Sequence, residues 1–529
     1  MYEKVDLVLP DICVTCRWKQ HMAFWPFGKF RQGKSDLSGE SFITVLPDNA
    51  RYPIYTSKEW WGDAWDPTSY GQDYDSNRSF FDQLKELQEK VPRPHQQGAQ
   101  NVDCDWSDDA WESKNCYLTR STKRAENVLY GYRAIDVKDS IDVSHVFTLD
   151  QCYDCAYCFS SYGLQFSKNC RDCIDSQFLF DCRNCSNCFM CWNLRGKSYC
   201  VENIQYTKEE YEEKMKAINL GSYIELQKYK SRYAEILKKN ATHKDNFNIK
   251  TYGSVGTYMT NCNNCTNVFC WEDSENCVNC MRGLKAKDSI DLTGCWEIEV
   301  SGNNSCCTGA YQLKYSIWCE GARYSEYCDE CLEVDYCFGC VGLRKKKYCI
   351  LNKQYTKEEY EILKAKIISD MKARNEYGKF PPYSLGLCPY NVSTAAIYFP
   401  DADQEYIKER GGYWEENKDQ KIEGLLTSEL PDGIADMDSS ISKQALVCPV
   451  TGWRYNIAPD EFAYLKRKNI ALPRVHFDVR TKERLLPLSQ TKGEPYNCIY
   501  CSKNIVAYYP KAWKYERVAC EECYLREIV

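Results

Sequence analysis

The sequence predicts a mainly β fold: two tandem β-solenoid blocks with short 12-residue coils, each capped by helices and flanked by small terminal modules. Three observations predict it. Cysteines fall on a 12-residue grid, with Val128 and Ser140 at two of its points, a 149-residue shift places one cysteine-rich block on another, and a 463-residue shift relates the two ends of the chain. A short fixed period is typical of stacked coils, because each coil buries its face against its neighbours.

The cysteines of each block lie on a 12-residue grid. The grid cysteines are Cys104, Cys116 and Cys152 in the first block and Cys295, Cys307, Cys319 and Cys331 in the second. The 149-residue shift pairs Cys116 with Cys265, Cys158 with Cys307, Cys170 with Cys319, Cys182 with Cys331, Cys188 with Cys337, Cys191 with Cys340 and Cys200 with Cys349. Between grid points, cysteines repeat at every third position, a period that fits neither a flat strand nor a helix. We therefore expect very short strands separated by corners.

Asparagine and aspartate mark the corners of these coils. One of them precedes the grid position at Asn115, Asn127, Asp139, Asn169, Asp181, Asn264, Asn276 and Asp288. Their short side chains bond the local backbone and tolerate left-handed backbone angles, which a tight corner requires.

Three interpretations account for the cysteines inside the coils. A buried cysteine packs as a small apolar residue, which suits a narrow coil. Stacked cysteines one rung apart also lie within disulfide range, and the Cys-x-x-Cys run from Cys182 to Cys191 has the spacing of a metal-binding motif. We favour packing, because the coil period already produces this spacing and a rigid rung does not easily gather four sulfurs around one ion.

Each block is followed by a helix that covers its last rung. The two helices begin at capping boxes, which are Thr207 with Glu210 and Thr356 with Glu359. We expect the first helical segment to continue to about Asn240 and the second to stop near Gly378. A shorter helix is predicted from Phe80, ending before Pro92.

The strongest chemical signal lies near the C-terminal end. Two Cys-x-x-Cys pairs, Cys498 with Cys501 and Cys520 with Cys523, have the spacing of a zinc ribbon. Four thiolates from two tight knuckles give closed tetrahedral coordination, so we predict a structural Zn²⁺ with no open position for catalysis. The 463-residue shift places Ser35, Ser38, Ser57 and Trp60 of the N-terminal module on these four cysteines. We therefore predict that the N-terminal module binds no zinc.

A second candidate metal site draws on residues outside this ribbon. Cys13 and Cys16 lie near the N-terminus, where the other terminal copy has His476 at the first of the two positions. We consider a composite site in which Cys13 and Cys16 join Cys448 and His476, with Cys388 as a further candidate ligand. The spacing selects none of these partners.

These features predict a division of the chain into eight segments. They are a degenerate zinc-ribbon-like module at 1–62, an aromatic cap at 63–103, the first cysteine-rich β-solenoid at 104–205, a helical cap and linker at 206–250, the second cysteine-rich β-solenoid at 253–354, a helix at 355–380, a connector at 381–440 and a zinc-ribbon module at 441–529.

The sequence contains no catalytic constellation. Its five histidines are His21, His95, His145, His243 and His476, and none forms a catalytic pattern with nearby cysteines or carboxylates. A phosphate-loop pattern spans residues 28–35, but the buried strand before it and the helix after it that such a loop needs are not predicted. We therefore expect no enzyme activity, no catalytic or cofactor-binding residues apart from the zinc ligands, and no nucleotide partner.

Bulk properties favour a cytoplasmic protein with reduced thiols. The 529 residues carry a net charge of −7 and include 34 cysteines. No stretch of about 20 apolar residues occurs, so we expect no membrane span. The first residues lack a basic segment followed by an apolar one, so no signal peptide is predicted. In the cytoplasm, most cysteines remain thiols or metal ligands.

Further motifs are spread over most of the chain. They are Leu-Pro-x-x-Cys-x-x-Cys-Arg at 9–17, Asp-Leu-Ser-Gly at 36–39, Trp-Trp-Gly-Asp-x-Trp-Asp-Pro at 60–67, Val-Pro-Arg-Pro at 91–94, Asn-Cys-Tyr at 115–117, Gln-Tyr-Thr-Lys-Glu-Glu-Tyr at 205–211 and 354–360, and Leu-Pro-Arg-x-His at 472–476. In these motifs the chain resembles uncharacterised bacterial cysteine-rich proteins with zinc-ribbon terminal modules. The resemblance implies zinc at the ribbon and no particular activity. The chain departs from that pattern by lacking knuckle cysteines at positions 35, 38, 451 and 479.

Three functions compete on these observations. The first is a non-catalytic zinc-binding scaffold whose rigid surfaces hold a protein partner or drive self-assembly. The second is RNA or ribosome association through residues 466–529, which hold 13 Lys and Arg against 7 Asp and Glu. The third is redox or metal buffering by the cysteine-rich blocks.

Overall fold

The chain forms two compact units, each built from two separate stretches of sequence. In the computed structural model the described residues are 2–3, 7–294, 298–299, 311–416 and 423–529. Unit 1 contains Met1–Gln97 and Asn246–Glu416, and unit 2 contains Gly98–Asp245 and Asn417–Val529. Each unit therefore joins one cysteine-rich block to one terminal module: the N-terminal module belongs with the second block, and the C-terminal module belongs with the first.

Helices occur mainly outside the cysteine-rich blocks. In the described part of the chain they are α1 (Val14–Met22), α2 (Ser57–Trp61), α3 (Phe80–Lys90), α4 (Lys208–Lys216), α5 (Tyr223–Lys239), α6 (Lys357–Ala373), α7 (Ala395–Tyr398), α8 (Gln404–Glu409), α9 (Pro459–Lys468), α10 (Phe477–Leu485) and α11 (Glu521–Ile528).

The strands are short and form many small sheets. They are β1 (Arg31–Lys34), β2 (Ser41–Thr44), β3 (Ile54–Tyr55), β4 (Arg93–Pro94), β5 (Gly98–Ala99), β6 (Ser107–Trp111), β7 (Thr119–Lys123), β8 (Tyr132–Ile135), β9 (Ile141–Asp150), β10 (Tyr153–Ala156), β11 (Phe159–Tyr162), β12 (Ser186–Phe189), β13 (Ser198–Val201), β14 (Ile204–Gln205), β15 (His243–Lys244), β16 (Val255–Thr260), β17 (Thr266–Glu272), β18 (Met281–Leu284), β19 (Ala286–Lys287), β20 (Ile298–Glu299), β21 (Asp335–Phe338), β22 (Lys347–Ile350), β23 (Lys353–Gln354), β24 (Leu425–Leu426), β25 (Leu446–Val447), β26 (Arg454–Tyr455), β27 (Glu494–Asn497), β28 (Asn504–Ala507) and β29 (Val518–Ala519).

Helix and strand take nearly equal shares of the structure, 26% and 28%. The helical share is thus larger than a mainly β fold has. Two features explain it: the terminal modules contribute helices, and many rungs of the cysteine-rich blocks pair through single residues rather than through full strands.

Both cysteine-rich blocks are parallel ladders in which paired residues lie 12 positions apart, except at the first rung of unit 1, where the interval is 11. In unit 2, β6 pairs with β7 at Ser107↔Thr119 and β12 pairs with β13 at Ser186↔Ser198. In unit 1, β17 pairs with β18 at Phe269↔Met281 and β21 pairs with β22 at Cys337↔Cys349. The interval read from the sequence is therefore the interval between paired residues. Two of the grid cysteines, Cys295 and Cys307, lie outside the described residues.

The backbone turns a corner every third residue along these ladders. The eight predicted corner residues all have left-handed φ values, between 44° at Asp139 and 57° at Asn169, which confirms the prediction. At other corner positions of the ladders, larger residues adopt the same conformation, among them Tyr130 (φ 56°) and Phe178 (φ 56°). The sequence did not reveal these corners, because residues other than Gly, Asn and Asp enter this region at a cost of about 1–2 kcal/mol. The ladder compensates by pairing the backbone on either side of each corner.

The inward-facing cysteines and serines form additional hydrogen bonds with the backbone at these corners. Cys155 Sγ donates to the carbonyl oxygens of Tyr153 and Leu164, at 3.4 and 3.5 Å. Ser161 Oγ accepts the backbone N–H of Cys173 at 3.1 Å, one rung further on. The described cysteines of both ladders are buried thiols and form no disulfides.

The helices that follow the ladders begin where the capping boxes predict. Thr207 and Thr356 each accept the backbone N–H of the glutamate at the third position after them, and that glutamate bonds back to the threonine N–H. The first helical segment is not continuous, in contrast to the prediction. It divides into α4 and α5, because Ser222 provides a second N-cap, with its hydroxyl accepting the backbone N–H of Glu225.

Helices α1 and α10 have the same bounds after the 463-residue shift, and each is joined to the ladder of its own unit by a buried ion pair. In unit 1, Arg17 Nε lies 2.8 Å from Asp291 Oδ2. In unit 2, Arg480 Nη1 lies 2.8 Å from Asp142 Oδ2. The two arginines are related by the 463-residue shift and the two aspartates by the 149-residue shift, so equivalent residues make equivalent contacts in the two units.

Among the described residues, no helix has both the length and the apolar composition that crossing a membrane requires.

Candidate metal centre

The first cysteine pair sits at the tip of the hairpin formed by β27 and β28. Cys498 directly follows β27, and its backbone N–H donates to the carbonyl oxygen of Lys503 at 2.9 Å. Ser502 donates its N–H to the Cys498 carbonyl at 2.9 Å and has a left-handed φ of 59°. This tight turn places Cys501 beside Cys498 with both side chains on one side of the hairpin tip.

The second pair begins α11. Cys520 is the N-cap residue that follows β29, and its Sγ accepts the backbone N–H of Cys523 at 3.5 Å. The first helical turn thus brings Cys523 back towards Cys520. The strand before it is held in place by the N–H of Ile499, which donates to the Val518 carbonyl at 2.9 Å.

The four thiols form a group that can hold a metal ion. Their Sγ atoms all lie within 4.8 Å of one another, and the Sγ atoms of Cys501 and Cys520 are 3.8 Å apart. Cys498, Cys520 and Cys523 are buried and Cys501 is exposed. The predicted ligand set is therefore assembled in one place, and it consists of sulfur alone.

Two of these thiols have strongly shifted pKa values of opposite sign. Burial raises the pKa of Cys498, but backbone N–H donors from Cys501, Cys520 and Tyr500 outweigh it and bring the pKa to about 6. Burial and hydrogen bonds between the thiols raise the pKa of Cys523 to about 12. Coordination by four thiolates would therefore release protons, which makes metal affinity depend on pH.

Neighbouring residues join this centre to the ladder of unit 2. The hydroxyl of Tyr524, which follows Cys523, donates to the carboxylate of Asp181 and accepts Arg195 Nη2 at 2.7 Å. Lys244 Nζ binds Glu521 Oε1 at 2.6 Å. The helix that carries two of the four thiols is thus fixed at its first turn.

The N-terminal module has the same hairpin without cysteines. Strands β1 and β2 match the bounds of β27 and β28 after the 463-residue shift. Ser35 takes the place of Cys498: its N–H donates to the Glu40 carbonyl at 2.8 Å and its carbonyl accepts the N–H of Gly39 at 2.9 Å. The phosphate-loop pattern at 28–35 runs through β1, so this segment is one arm of a hairpin and not a loop followed by a helix.

The second knuckle of this module corrects the sequence alignment by one residue. Thr56 is the N-cap of α2 and accepts the N–H of Glu59 at 3.2 Å, as Cys520 accepts that of Cys523. The equivalents of these two cysteines are therefore Thr56 and Glu59, and the prediction of Ser57 and Trp60 was wrong. The segment between hairpin and knuckle is one residue shorter here, which a constant shift does not detect.

Glu59 occupies the centre of this cysteine-free knuckle. Its Oε2 accepts the hydroxyls of Ser35 and Thr56 at 2.6 and 3.0 Å, and the backbone N–H of Thr56 at 2.8 Å. Partial burial acts to raise the pKa of Glu59, but the hydrogen bonds from Ser35, Ser38 and Thr56 outweigh it and lower the pKa to about 2. A hydrogen-bonded carboxylate thus links the two knuckles where the other module has thiols.

The residues of the second candidate site are divided between the two units. Cys13 and Cys16 are in unit 1, with their Sγ atoms 3.2 Å apart. Cys448 and His476 are in unit 2, where His476 is the N-cap of α10 and its Nδ1 accepts the Asp478 N–H at 3.1 Å. Over the described ranges, neither pair has a third Cys, His, Asp or Glu close enough to complete a metal-holding group. A composite site stays a prediction.

Comparison of the chain with models of known protein families gave no match, and a search of the curated proteins found none with significant sequence similarity.

Proposed function

We propose that Cys498, Cys501, Cys520 and Cys523 hold a structural Zn²⁺ in a zinc ribbon, and that the protein is a non-catalytic scaffold. The chemistry of the donor set carries the proposal. A tetrahedral ion with Zn–S bonds of about 2.3 Å holds its sulfurs ~3.8 Å apart, and the Cys501–Cys520 distance is 3.8 Å. Sulfur-only tetrahedral sites favour zinc among the common divalent ions.

A four-thiolate site leaves no coordination position for substrate, so its role is to order the module. The buried cluster around this site is small, and it consists of Cys498, Cys520 and Cys523 with Ala519 and Tyr524. Small modules of this kind commonly require a metal for their stability. Zinc would add the bonds that the apolar core does not supply.

The two ladders would provide the rigid surfaces of the scaffold. We interpret each as a β-solenoid, and its 12-residue parallel register and the regular left-handed corners support this interpretation. Helix α4 packs on β13 and α6 on β22, so the last rungs of both ladders are covered. Covered edges limit uncontrolled strand pairing and leave the ladder sides as the surfaces for a protein partner or for self-assembly.

The structure offers less support for RNA or ribosome binding through residues 466–529. Arg480 and Arg484 of this basic segment are buried and paired with Asp142. Their charges hold α10 on the ladder and are not available to phosphate. Exposed lysines such as Lys511 and Lys514 remain, and salt-sensitive retention of RNA by the full chain would test their contribution.

Redox or metal buffering by the ladder cysteines also has little support. Ladder thiols such as Cys155, Cys182 and Cys188 are fully buried and donate to backbone carbonyls. A thiol that is inaccessible and already hydrogen-bonded reacts slowly with oxidants and metals. Packing remains the interpretation we favour for them.

Metal analysis of the purified chain tests the zinc proposal. We expect about one zinc per chain, lost in the Cys498→Ser/Cys501→Ser variant and kept in the matched Cys13→Ser/Cys16→Ser variant. Zinc that persists in the first variant would refute the site. Zinc that falls in the second variant as well would favour the composite site instead.

Sedimentation velocity of the same samples tests the scaffold role. We expect zinc-loaded protein to form defined assemblies as concentration rises, and the Cys498→Ser/Cys501→Ser variant to lose them or to aggregate. A zinc-loaded chain that is monomeric at all concentrations would exclude self-assembly, and the scaffold would then have to bind a different protein.

A further inference from the structure

Cys13 and Cys16 form an accessible dithiol at the first turn of α1. Their Sγ atoms are 3.2 Å apart, with Cys13 exposed and Cys16 half-buried. Metal-holding groups of three or more ligands, searched over the described residues, do not include this pair. Two thiols this close can form a disulfide with little backbone movement.

The fold itself does not require these two cysteines. The equivalent helix of unit 2, α10, has the same length and forms the same buried Arg–Asp pair with its ladder. At the positions of Cys13 and Cys16 it has His476 and Val479. Docking of the helix is thus achieved with or without thiols, so the dithiol of unit 1 is free to serve a chemical role.

We propose that Cys13 and Cys16 are a thiol–disulfide exchange site that acts on a disulfide carried by another protein. This role goes beyond the scaffold function and does not depend on the zinc centre. It also differs from buffering by the ladder cysteines, because those thiols are buried whereas this pair reaches the surface.

The surroundings assign different roles to the two thiols. Cys13 is the exposed nucleophile, and its Sγ accepts the backbone N–H of Cys16 at 3.4 Å at the start of the helix. Such a contact stabilises the thiolate form. Cys16 is the resolving thiol, sheltered by Tyr406, whose hydroxyl lies 3.9 Å from its Sγ.

The exchange consists of two balanced displacements. The Cys13 thiolate attacks one sulfur of the substrate disulfide, which forms a mixed disulfide and releases the other substrate sulfur as a thiolate. The Cys16 thiolate then attacks Cys13 Sγ, which closes the Cys13–Cys16 disulfide and releases the second substrate thiolate. The two protons given up by the cysteines are taken by the two substrate thiolates, so the pair is oxidised by two electrons and the substrate disulfide is reduced.

The residues before Cys13 favour a protein substrate over a small charged disulfide. Leu9 and Ile12 are 75% and 44% exposed. Exposed apolar side chains beside a reactive thiol offer contact area to an extended polypeptide, whereas a small charged disulfide gains little from them.

Trapping on the full zinc-loaded chain tests the proposal. The probes are an oxidised two-cysteine peptide with apolar flanks and, in parallel, oxidised glutathione, with acid quenching, alkylation and peptide mass spectrometry as the readout. We expect a Cys13–Cys16 disulfide in the wild type, and an accumulated mixed disulfide on Cys13 in Cys16→Ser. In Cys13→Ser, a mixed disulfide on Cys16 should form about 10-fold more slowly than the one on Cys13 in Cys16→Ser, because Cys16 is half-buried. Cys498 and Cys501, in the same samples, are the internal control and should form no disulfide with either probe.

The outcomes separate the alternatives. A faster reaction with the peptide than with glutathione supports a protein substrate, and equal rates assign the site to small disulfides. Retention of both thiols in reduced form with both probes, or protection of the pair by a bound metal ion, would overturn the exchange site. Because both cysteines reach the surface, we expect the variants to keep the wild-type circular dichroism, and an altered spectrum would show that the pair is structural.

Discussion

At the scale of single residues, the ladder interior explains why cysteine and serine share the same positions. Each inward residue follows a left-handed corner, where carbonyl oxygens and N–H groups point into the coil. A thiol or hydroxyl donates to the carbonyl of the second residue before it, as Cys182 does to Phe180 at 3.5 Å and Ser176 to Ile174 at 2.8 Å. These carbonyls also accept ladder N–H groups, as that of Phe180 does from Asn193 at 2.9 Å, so the additional bond satisfies the buried thiol or hydroxyl. A buried polar group without a partner costs free energy, and the corner therefore accommodates cysteine and serine alike.

This account predicts an order of tolerance at Cys182, which is fully buried. Cys182→Ala removes the donor and leaves a small cavity, so we expect a loss of about 1–2 kcal/mol in unfolding free energy. Cys182→Ser keeps the donor and should cost less. Urea denaturation followed by fluorescence measures both. A serine variant that is less stable than the alanine variant would contradict the hydrogen-bonding role of the thiol.

We expect His243 to make unit 2 sensitive to acid. Burial lowers the pKa of His243 to about 4, its ring stacks on Tyr515 at 3.8 Å, and its Nε2 donates to the Leu237 carbonyl at 2.6 Å. The unfolded chain binds this proton near its ordinary pKa of about 6.5, whereas the folded chain does not. Stability from the neutral ring is therefore complete above that pH and is lost as the pH falls towards 4, by about 3 kcal/mol at most.

Denaturant titrations from pH 7.5 to 4.5 measure this effect. We expect His243→Phe to flatten the pH dependence, since the phenyl ring keeps the stacking and has no proton to bind. His95, whose pKa burial likewise lowers to about 4, belongs to unit 1 and should supply a separate slope that persists in the variant. Identical pH profiles for wild type and His243→Phe would contradict the assignment.

At the scale of elements, the two terminal hairpins link equivalent knuckles by different chemistry. One gathers four thiols, and the other centres Glu59 between hydroxyls and backbone N–H groups. Cysteine spacing is visible in a sequence, so the thiol group was predicted residue by residue. A carboxylate–hydroxyl cluster has no such spacing rule, and a length difference of one residue shifted the aligned positions from Thr56 and Glu59 to Ser57 and Trp60.

The structural equivalence predicts that a metal centre can be installed in the N-terminal module. We expect the variant Ser35→Cys/Ser38→Cys/Thr56→Cys/Glu59→Cys to bind one additional metal ion, because these side chains occupy the positions of the four native thiols. The control moves one cysteine by one residue, with Ser57→Cys in place of Thr56→Cys, and should not bind tightly. Cobalt titration, which reports tetrahedral thiolate coordination by its absorption, compares them. Equal binding by both variants would contradict the one-residue correction.

Contacts between distant segments are the part of the site that the sequence did not reveal. Tyr406 shelters Cys16 although 390 residues separate them, and Tyr524 reaches Asp181 across a similar distance in the chain. Corners, capping boxes and the grouping of the four C-terminal cysteines follow from local sequence signals, and the structure contains all three. Long-range contacts depend on which block joins which terminal module, and periodicity carries no information about that choice.

At the scale of the whole molecule, the chain passes alternately through its two units. A cut after residue 245 would leave each half with one ladder and one terminal module that belong to different units. The buried pairs Arg17–Asp291 and Arg480–Asp142 both connect residues on opposite sides of that cut. Neither half alone would contain a partner for its buried arginine or aspartate, and an unpaired buried charge is strongly destabilising.

This organisation predicts the behaviour of a split chain. We expect fragments 1–245 and 246–529 to be unfolded or aggregated when each is expressed alone, because neither contains a complete unit. Expressed together, they should copurify as a stable complex, bind metal through Cys498 and its three partners, and show the circular dichroism of the intact chain. A split after residue 416 is the comparison. Fragment 1–416 keeps unit 1 whole and carries residues 98–245 of unit 2 without their C-terminal partner segment, so it should show the cooperative unfolding transition of unit 1 alone. If fragment 1–245 folded cooperatively alone, the alternation of the chain between units would be refuted.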